Sequence, residues 1–167
     1  VCGGGGDSSL SIGSCYAYAE SNGISSKPLK DMYLGIGCSY SLNEIKKLST
    51  KYNITKFSSS KQIVDRLLEG KIIATCFGRA EMGPRALGNR SILSDPRNKK
   101  IKDIINLKIK RRESFRPFAP SVLSDLQKDW FEEIYSNQYM SSVMKAKYEK
   151  KNLIPGVVHI DGTSRVQ

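Results

Sequence analysis

The stretch that decides the fold is KIIATCFGRAEMGPRALGNRS, residues 71–91. Its first seven residues, Lys71 to Phe77, are apolar and partly β-branched, the pattern of a buried strand. At Gly78 the character changes: three glycines, one proline and three arginines follow within fourteen residues. Gly78 lets the chain leave the strand, and Gly83-Pro84 and Gly88 allow turns that other residues resist. Open α/β sheets hold their ligands beyond the C-terminal ends of strands. A strand that empties into such a loop therefore predicts both the fold class and the place of the site.

On the N-terminal side, Ser59-x-x-Gln62 and Ser41-x-x-Glu44 read as two capping boxes. Leu42, Ile45 and Leu48 follow the first at helical spacing and predict a helix from about Leu42 to Lys51. Ile63, Val64, Leu67 and Leu68 follow the second, and Gly70 closes that helix. A short strand is expected between them, from Ile54 to Phe57. Further back, residues 24–40 read as a connector, and a small-residue helix from about Leu10 to Ser21 ends at Gly23. On the C-terminal side the pattern predicts a helix near Lys99–Leu107, a strand near Pro117–Leu123, a helix near Asp125–Tyr135 and a strand near Val157–Ile160. The Lys-rich run 145–151 reads as a solvated helical face or loop. Alternating helices and strands indicate α/β, a twisted open mixed sheet flanked by helices.

The chain of 167 residues carries a formal charge of +11 and a pI near 9.6. Twelve Lys and Arg against four Asp and Glu leave +8 of that charge between Gly78 and Phe118. Such a concentration implies an anionic partner: phosphate, nucleotide, nucleic acid or an acidic surface. No apolar run of about 18 residues exists, so no membrane span is expected. VCGGGGDSS lacks the basic and apolar regions of a signal peptide. The cysteines, Cys2, Cys15, Cys38 and Cys76, form no CxxC, which argues against zinc and predicts reduced thiols in a cytoplasmic protein. Cys76, inside the expected strand, is predicted to be buried and inert. No Ser-His-Asp or Cys-His arrangement is evident; His159, the one histidine, reads as a packed strand residue.

Arg79, Arg85 and Arg90 are spaced by six and five residues, off any single helical stripe. A loop can converge them on one anion, since guanidinium forks bind phosphate or carboxylate bidentately. Glu81 and Asn89 can orient those arginines or bind a ligand amine, and Ser91 offers a hydroxyl. A solvated basic loop whose glycines serve turns fits the same spacing. Against it stands a second cluster, IKRRESFRPF, where Lys110, Arg112 and Arg116 sit beside Glu113, Phe115 and Phe118. Two basic clusters flanking one short helix can wall a polyphosphate. The same charges also suit RNA, with aromatics as stacking platforms. Near the patch, however, only Phe77, Phe115 and Phe118 are available, and each is expected in the core. Asp161-Gly162 reads as a hairpin turn or as a ligand loop.

GRAEMGPRALGNRSIL, INLKIKRRESFRPFAPSVL and the closing HIDGTSRVQ together resemble the NodU/CmcH-type O-carbamoyltransferase family, which is related to HypF. The resemblance implies two domains: an actin-like domain with a metal site, and a YrdC-like α/β domain. Residues 1–23 would be the tail of the first and residues 24–167 the second, cut before the family's usual C-terminal end. It implies that carbamoyl phosphate and ATP form a carbamoyl adenylate whose carbamoyl group passes to a small-molecule hydroxyl acceptor, with Mg2+ assisting and iron in the actin-like domain. By residue, it makes Arg79, Arg85 and Arg116 catalytic. Glu81, Asn89, Arg90, Ser91, Lys110, Arg112, Asp161 and Arg165 would bind substrate or nucleotide, and Asp7 would be a metal ligand. An RNA- or nucleotide-binding YrdC-like module without transferase activity is the alternative.

Overall fold

A computed structural model of the chain describes residues 4–167; Cys2 lies outside them. After a 3-10 turn at Asp7–Ser9 comes helix α1, Leu10–Ser21, which stops where Gly23 takes a left-handed φ of 65°. Helix α2 spans Leu42–Ser49 and α3 spans Ser60–Leu68. The Ser41 hydroxyl oxygen accepts the Glu44 N–H at 3.2 Å, and a Glu44 carboxylate oxygen accepts the Ser41 N–H at 2.7 Å. That reciprocal pair satisfies two free donors at the start of α2. The second expected box does not close: Ser59 makes no side-chain cap, and the Gln62 Oε1 accepts the Ser58 N–H at 3.1 Å instead. The apolar stripe of α2 also buries nothing; Leu42, Ile45 and Leu48 are all exposed. Helical spacing thus formed the helix through its cap and not through packing.

The strands are shorter and differently paired than the sequence predicts. Strand β1, Ile73–Ala74, pairs antiparallel with β2, Ile92–Leu93, setting Ile73 opposite Leu93. Strand β3, Met144–Lys145, pairs antiparallel with β4, Thr163–Ser164. The described residues therefore hold two separate two-stranded sheets in place of one twisted open mixed sheet, although the mixture of helix and sheet is as expected. Expected strands at 54–57, 117–123 and 157–160 carry no ladder. For 117–123 the reason is local: Pro117 and Pro120 each remove a donor. What remains is one pair of bonds to the chain end, Val122 N–H to the Gln167 carbonyl and Gln167 N–H to the Pro120 carbonyl, both at 2.9 Å.

The helix expected near Lys99–Leu107 is α4, Ile101–Ile104, which widens into a π-turn over Ile105–Lys110 and ends at Arg111 with φ 48°. The helix expected to reach Tyr135 is a 3-10 turn at Ser124–Leu126 followed by α5, Gln127–Trp130. Much of the Lys-rich run forms β3 and a turn, ending at a 3-10 turn, Lys151–Leu153. The core gathers round the second sheet: Phe131, Met144, Ala146, Ile154, Val157 and Val166, with Phe118 and Trp130 packed on it. Each of the larger side chains, Phe, Met, Ile or Val, contributes about 1.5–3 kcal/mol on full burial.

One backbone crossing fastens this core to α4. Gly156 is buried, and its N–H donates to the Pro96 carbonyl at 2.8 Å. A Cβ at Gly156 would stand 2.6 Å from Ile101 Cγ2 and 2.9 Å from the Pro96 oxygen. Neither neighbour is the end of a flexible exposed chain. Gly156→Ala is expected to cost about 2 kcal/mol, through the overpacking that a filled site imposes. Thermal unfolding checks this, with a fall of roughly 4–8 °C for a chain of this size. An unchanged melting temperature would show that α4 can yield.

Candidate functional site

The first arginine motif is a loop knotted on itself. The Glu81 Oε1 accepts three backbone N–H groups, from Leu87 at 2.7 Å, Asn89 at 2.8 Å and Arg90 at 3.1 Å. Burial works to raise this carboxyl, but the N–H of Glu81 itself and those three donors outweigh it and hold it below the ordinary glutamate range. Thr75, in turn, donates to the Gly88 carbonyl at 2.9 Å and accepts the Ser91 N–H at 3.0 Å. Ser91 closes the turn by accepting the Gly88 N–H at 3.0 Å. Gly78, Gly83 and Gly88 all take positive φ, as a loop this tight requires.

Two of its three arginines hold backbone. Arg79 donates from Nε to the Gly35 carbonyl at 3.0 Å and from an Nη to the Leu34 carbonyl at 2.6 Å. Arg90 donates to the carbonyls of Phe77 at 2.6 Å and Ile36 at 3.1 Å. Asn89 Nδ2 donates to the Arg79 carbonyl at 2.8 Å. These side chains bind segment 32–38 to the motif; Glu81 orients the backbone of Arg90, not a guanidinium. Arg85 is different: it sits exposed near the loop tip.

In the second motif the π-turn places Asn106, which is wholly buried, where its Nδ2 donates to the carbonyls of Ser114 at 3.2 Å and Arg116 at 2.9 Å. Its Oδ1 accepts Arg112 Nε at 2.7 Å. Arg112 also lies over the Phe118 ring, 5.0 Å from its centre. Phe118 thus serves core and site at once. Arg116 is exposed and pairs with Glu113 at 2.8 Å, and Lys110 is exposed at the end of the π-turn.

The chain end joins the two motifs. Gln167 Nε2 donates to the Leu87 carbonyl at 3.0 Å, while its backbone bonds to Pro120 and Val122. Arg165, two residues earlier, is half-buried, and its Nε is buried with no hydrogen-bond partner. Burial lowers its hold on its proton, and the like charges of Arg85 and Arg112 lower it further. Burial, and then the like charge of Arg116, acts the same way on Arg112. His159 stands beside this group with its Nε2 buried and unpartnered. Burial pushes its pKa below the ordinary histidine value against the pull of Asp161, while Arg165 and Lys102 push it down further. Asp161 accepts the Thr163 N–H at 2.9 Å and hydroxyl at 2.8 Å, holding the turn before β4.

Arg165 thus lies within electrostatic reach of both Arg85 and Arg112. Arg79, Arg90, Asn89, Ser91 and Glu81 are engaged in the hydrogen bonds that hold the first loop. Lys110 and Arg116 are exposed, and Arg116 lies within electrostatic reach of Arg112. Asp7 is exposed in the first turn, far along the chain from this group. Among the described residues no group of three or more His, Cys, Asp or Glu can hold a metal ion. Lys102, Thr75, Asn106 and Gln167 were not expected from sequence. Asn106 carried one signal, a lone polar residue in the apolar run IINLKI. Cys76 departs from expectation: β1 ends at Ala74, so Cys76 is exposed, and its sulfur meets that of Cys38.

A family model described as Carbamoyltransferase C-terminus matches residues 64–167. An uncharacterized protein of Methanocaldococcus jannaschii, MJ1058, is 39% identical over 171 residues, covering 97% of this chain and 28% of its own length. Nodulation protein NolNO of Sinorhizobium fredii is 48% identical over 104 residues, covering 60% of this chain and 15% of itself. Nodulation protein U of Rhizobium tropici is 45% identical over 101 residues, covering 60% and 17%. The chain therefore spans less than a third of the length of these relatives.

Proposed function

We propose, from the premise that this chain belongs to the carbamoyltransferase C-terminus family, that its arginine cluster binds the phosphates of carbamoyl phosphate and ATP within a larger carbamoyltransferase. The observation that carries this reading is Arg165: a half-buried guanidinium with a buried, unpartnered Nε, within electrostatic reach of the like charges of Arg85 and Arg112. Like charges held together at a partly desolvated point need a polyanion to neutralise them.

In this reading water cleaves carbamoyl phosphate to carbamate and inorganic phosphate; a carbamate oxygen then attacks the α-phosphate of ATP and expels pyrophosphate, and the resulting carbamoyl adenylate passes its carbamoyl group to a small-molecule hydroxyl acceptor with release of AMP. Arg85, Arg112 and Arg165 face the phosphates and stabilise charge that builds at phosphorus. Arg116 and Lys110 extend the cationic rim, and Asp161 fixes the turn that leads into Arg165. Arg79 acts through the loop it holds, together with Glu81, Asn89, Arg90 and Ser91. Among the described residues no three His, Cys, Asp or Glu side chains gather at one point, so no ligands are assigned to Mg2+ or iron and no step is routed through them. Residues 24–167 would form a YrdC-like domain, and residues 1–23 would be the tail of an actin-like domain. Asp7 would then lend a ligand to a metal site completed in that other domain, with the whole enzyme working in the cytoplasm.

Arg85 is exposed and carries no scaffold bond among those described, so its removal probes binding without disturbing the fold. Arg85→Ala is expected to weaken ATP and carbamoyl phosphate binding at least tenfold in the intact protein, the scale of one charge-assisted contact. Titration calorimetry at fixed salt measures it. Unchanged affinity would remove the cluster from the site. RNA tested alongside decides the other class of reading: steep loss of RNA affinity with salt, with ATP a poor competitor, would favour a nucleic-acid module.

A further inference from the structure

We propose that Cys38 and Cys76 are a redox-sensitive pair that closes into a disulfide, stapling segment 32–38 to the first arginine motif. The two sulfurs stand 2.9 Å apart, although 38 residues separate the cysteines in sequence. Closing the last ~0.9 Å to a bond of about 2.05 Å is a small movement. Cys76 is exposed and Cys38 half-exposed, so a soluble oxidant can reach the pair. Proximity is no accident of two loose loops. Segment 32–38 is paired to residues 78–82 by Cys38 N–H to Gly78 at 2.9 Å, Ala80 N–H to Ile36 at 2.9 Å and Met82 N–H to Met32 at 2.7 Å. The guanidinium bonds of Arg79 and Arg90 hold the same junction.

The environment distinguishes the two thiols. The hydrogen bond from Cys76 draws the Cys38 thiol below the ordinary range; burial opposes this, and Tyr40 and the positive charge of Arg90 add to it. The same shared bond pushes the Cys76 thiol up. Cys38 is therefore the attacking thiolate. It attacks one sulfur of a small-molecule disulfide such as oxidised glutathione and expels one thiolate. The Cys76 thiolate then attacks the Cys38 sulfur of the mixed disulfide and expels the second. The two cysteine protons end on the released thiols; the protein loses two electrons and the external disulfide gains them. The bond would enclose α2, α3 and β1 and fix the junction from which the anion-binding loop hangs.

The test equilibrates the whole chain in glutathione buffers from fully reduced to fully oxidised, traps free thiols by alkylation and maps peptides by mass spectrometry. A linked Cys38–Cys76 peptide is expected to grow with oxidation while Cys15, exposed on α1, stays free of protein cross-links. The oxidised chain should melt roughly 5–10 °C above the reduced one, as closing a loop of this length stabilises. In Cys76→Ser, Cys38 should accumulate as the glutathione mixed disulfide because its resolving partner is gone. Cys38 and Cys76 remaining alkylatable in the oxidised buffer would overturn the proposal, as would their appearing linked to Cys15 or Cys2. A Cys76→Ser chain that leaves Cys38 free of glutathione would overturn the assignment of Cys38 as the attacking thiol.

Discussion

Arg165→Met is expected to cut affinity for ATP and carbamoyl phosphate by roughly 10- to 100-fold while leaving the fold as stable as before, or more so. The two halves of that result have one cause. Arg165 keeps a charge in a half-buried place, with an Nε that finds no acceptor, and with Arg85 and Arg112 as neighbours. In the free protein this arrangement is unfavourable, so replacing it with an apolar chain of similar length removes desolvation and repulsion together. In the complex the same guanidinium meets phosphate oxygens. Its loss removes one charge-assisted interaction, worth about 1.5–3 kcal/mol, which is the fold-change above. Calorimetry and thermal unfolding on the same preparation separate the halves. Arg165→Lys should recover part of the affinity, since the charge returns without the fork. If affinity and stability fell together, Arg165 would be a structural residue, and the phosphate reading would lose its main support.

The residues that the sequence made readable and those it hid differ in a physical way. Local signals were legible. Ser41 with Glu44 announced α2, Gly23 announced the end of α1, and Gly78, Gly83 and Gly88 announced a loop of left-handed turns. Each depends on a few neighbouring residues whose conformational preferences are intrinsic. Strand pairing was not legible, because it is set by partners far along the chain. Residues 71–77 read as one buried strand, yet only Ile73–Ala74 forms a ladder, and it runs antiparallel to a strand 19 residues further on. Amphipathic spacing misled in the same manner. Ile45 and Leu48 predict a buried face, but spacing states only that a face exists, not what lies against it.

The site divides along the same line. Sequence placed the positive charge correctly between Gly78 and Phe118, because charge is a property of composition. It did not distinguish an arginine that binds a carbonyl from one that stands exposed without such a bond. Arg79, Arg85 and Arg90 look equivalent in GRAEMGPRALGNR, but Arg79 and Arg90 are engaged with Gly35, Leu34, Ile36 and Phe77, residues of other segments. The junction of residues 165–167 with the first motif likewise depends on Gln167 reaching Leu87, a contact across 80 residues. His159 read as a packed residue. It is half-buried as that reading expects, yet its Nε2 lacks the partner that packing would normally supply.

Glu81 is the position where fold and site are least separable. Glu81→Ala is expected to cost about 2–4 kcal/mol at neutral pH, lowering the melting temperature by roughly 5–12 °C. The figure starts from three N–H bonds to a charged acceptor and is discounted because the site is open on one side to water. Leu87, Asn89 and Arg90 would lose their common acceptor together, and the turn carrying Arg85 would loosen. Phosphate affinity should therefore fall as well, so that Glu81→Ala loses both properties where Arg165→Met loses one. Acid adds an independent check. The folded-state carboxyl titrates below its unfolded value, so the folded chain binds fewer protons there and stability rises with pH. The contribution is complete above the unfolded value of about 4.3 and disappears as pH falls through the lower folded value. Between about pH 5 and pH 3, wild-type protein should lose stability more steeply than Glu81→Gln, whose amide keeps an acceptor oxygen but has no proton to take up. Asp95, Glu113, Glu44 and Asp161 are held low too, so the variant keeps an acid slope of its own. The difference between the two slopes belongs to Glu81. Parallel slopes would show that the Leu87–Arg90 turn holds without the charge, leaving Thr75 and Ser91 as what supports it.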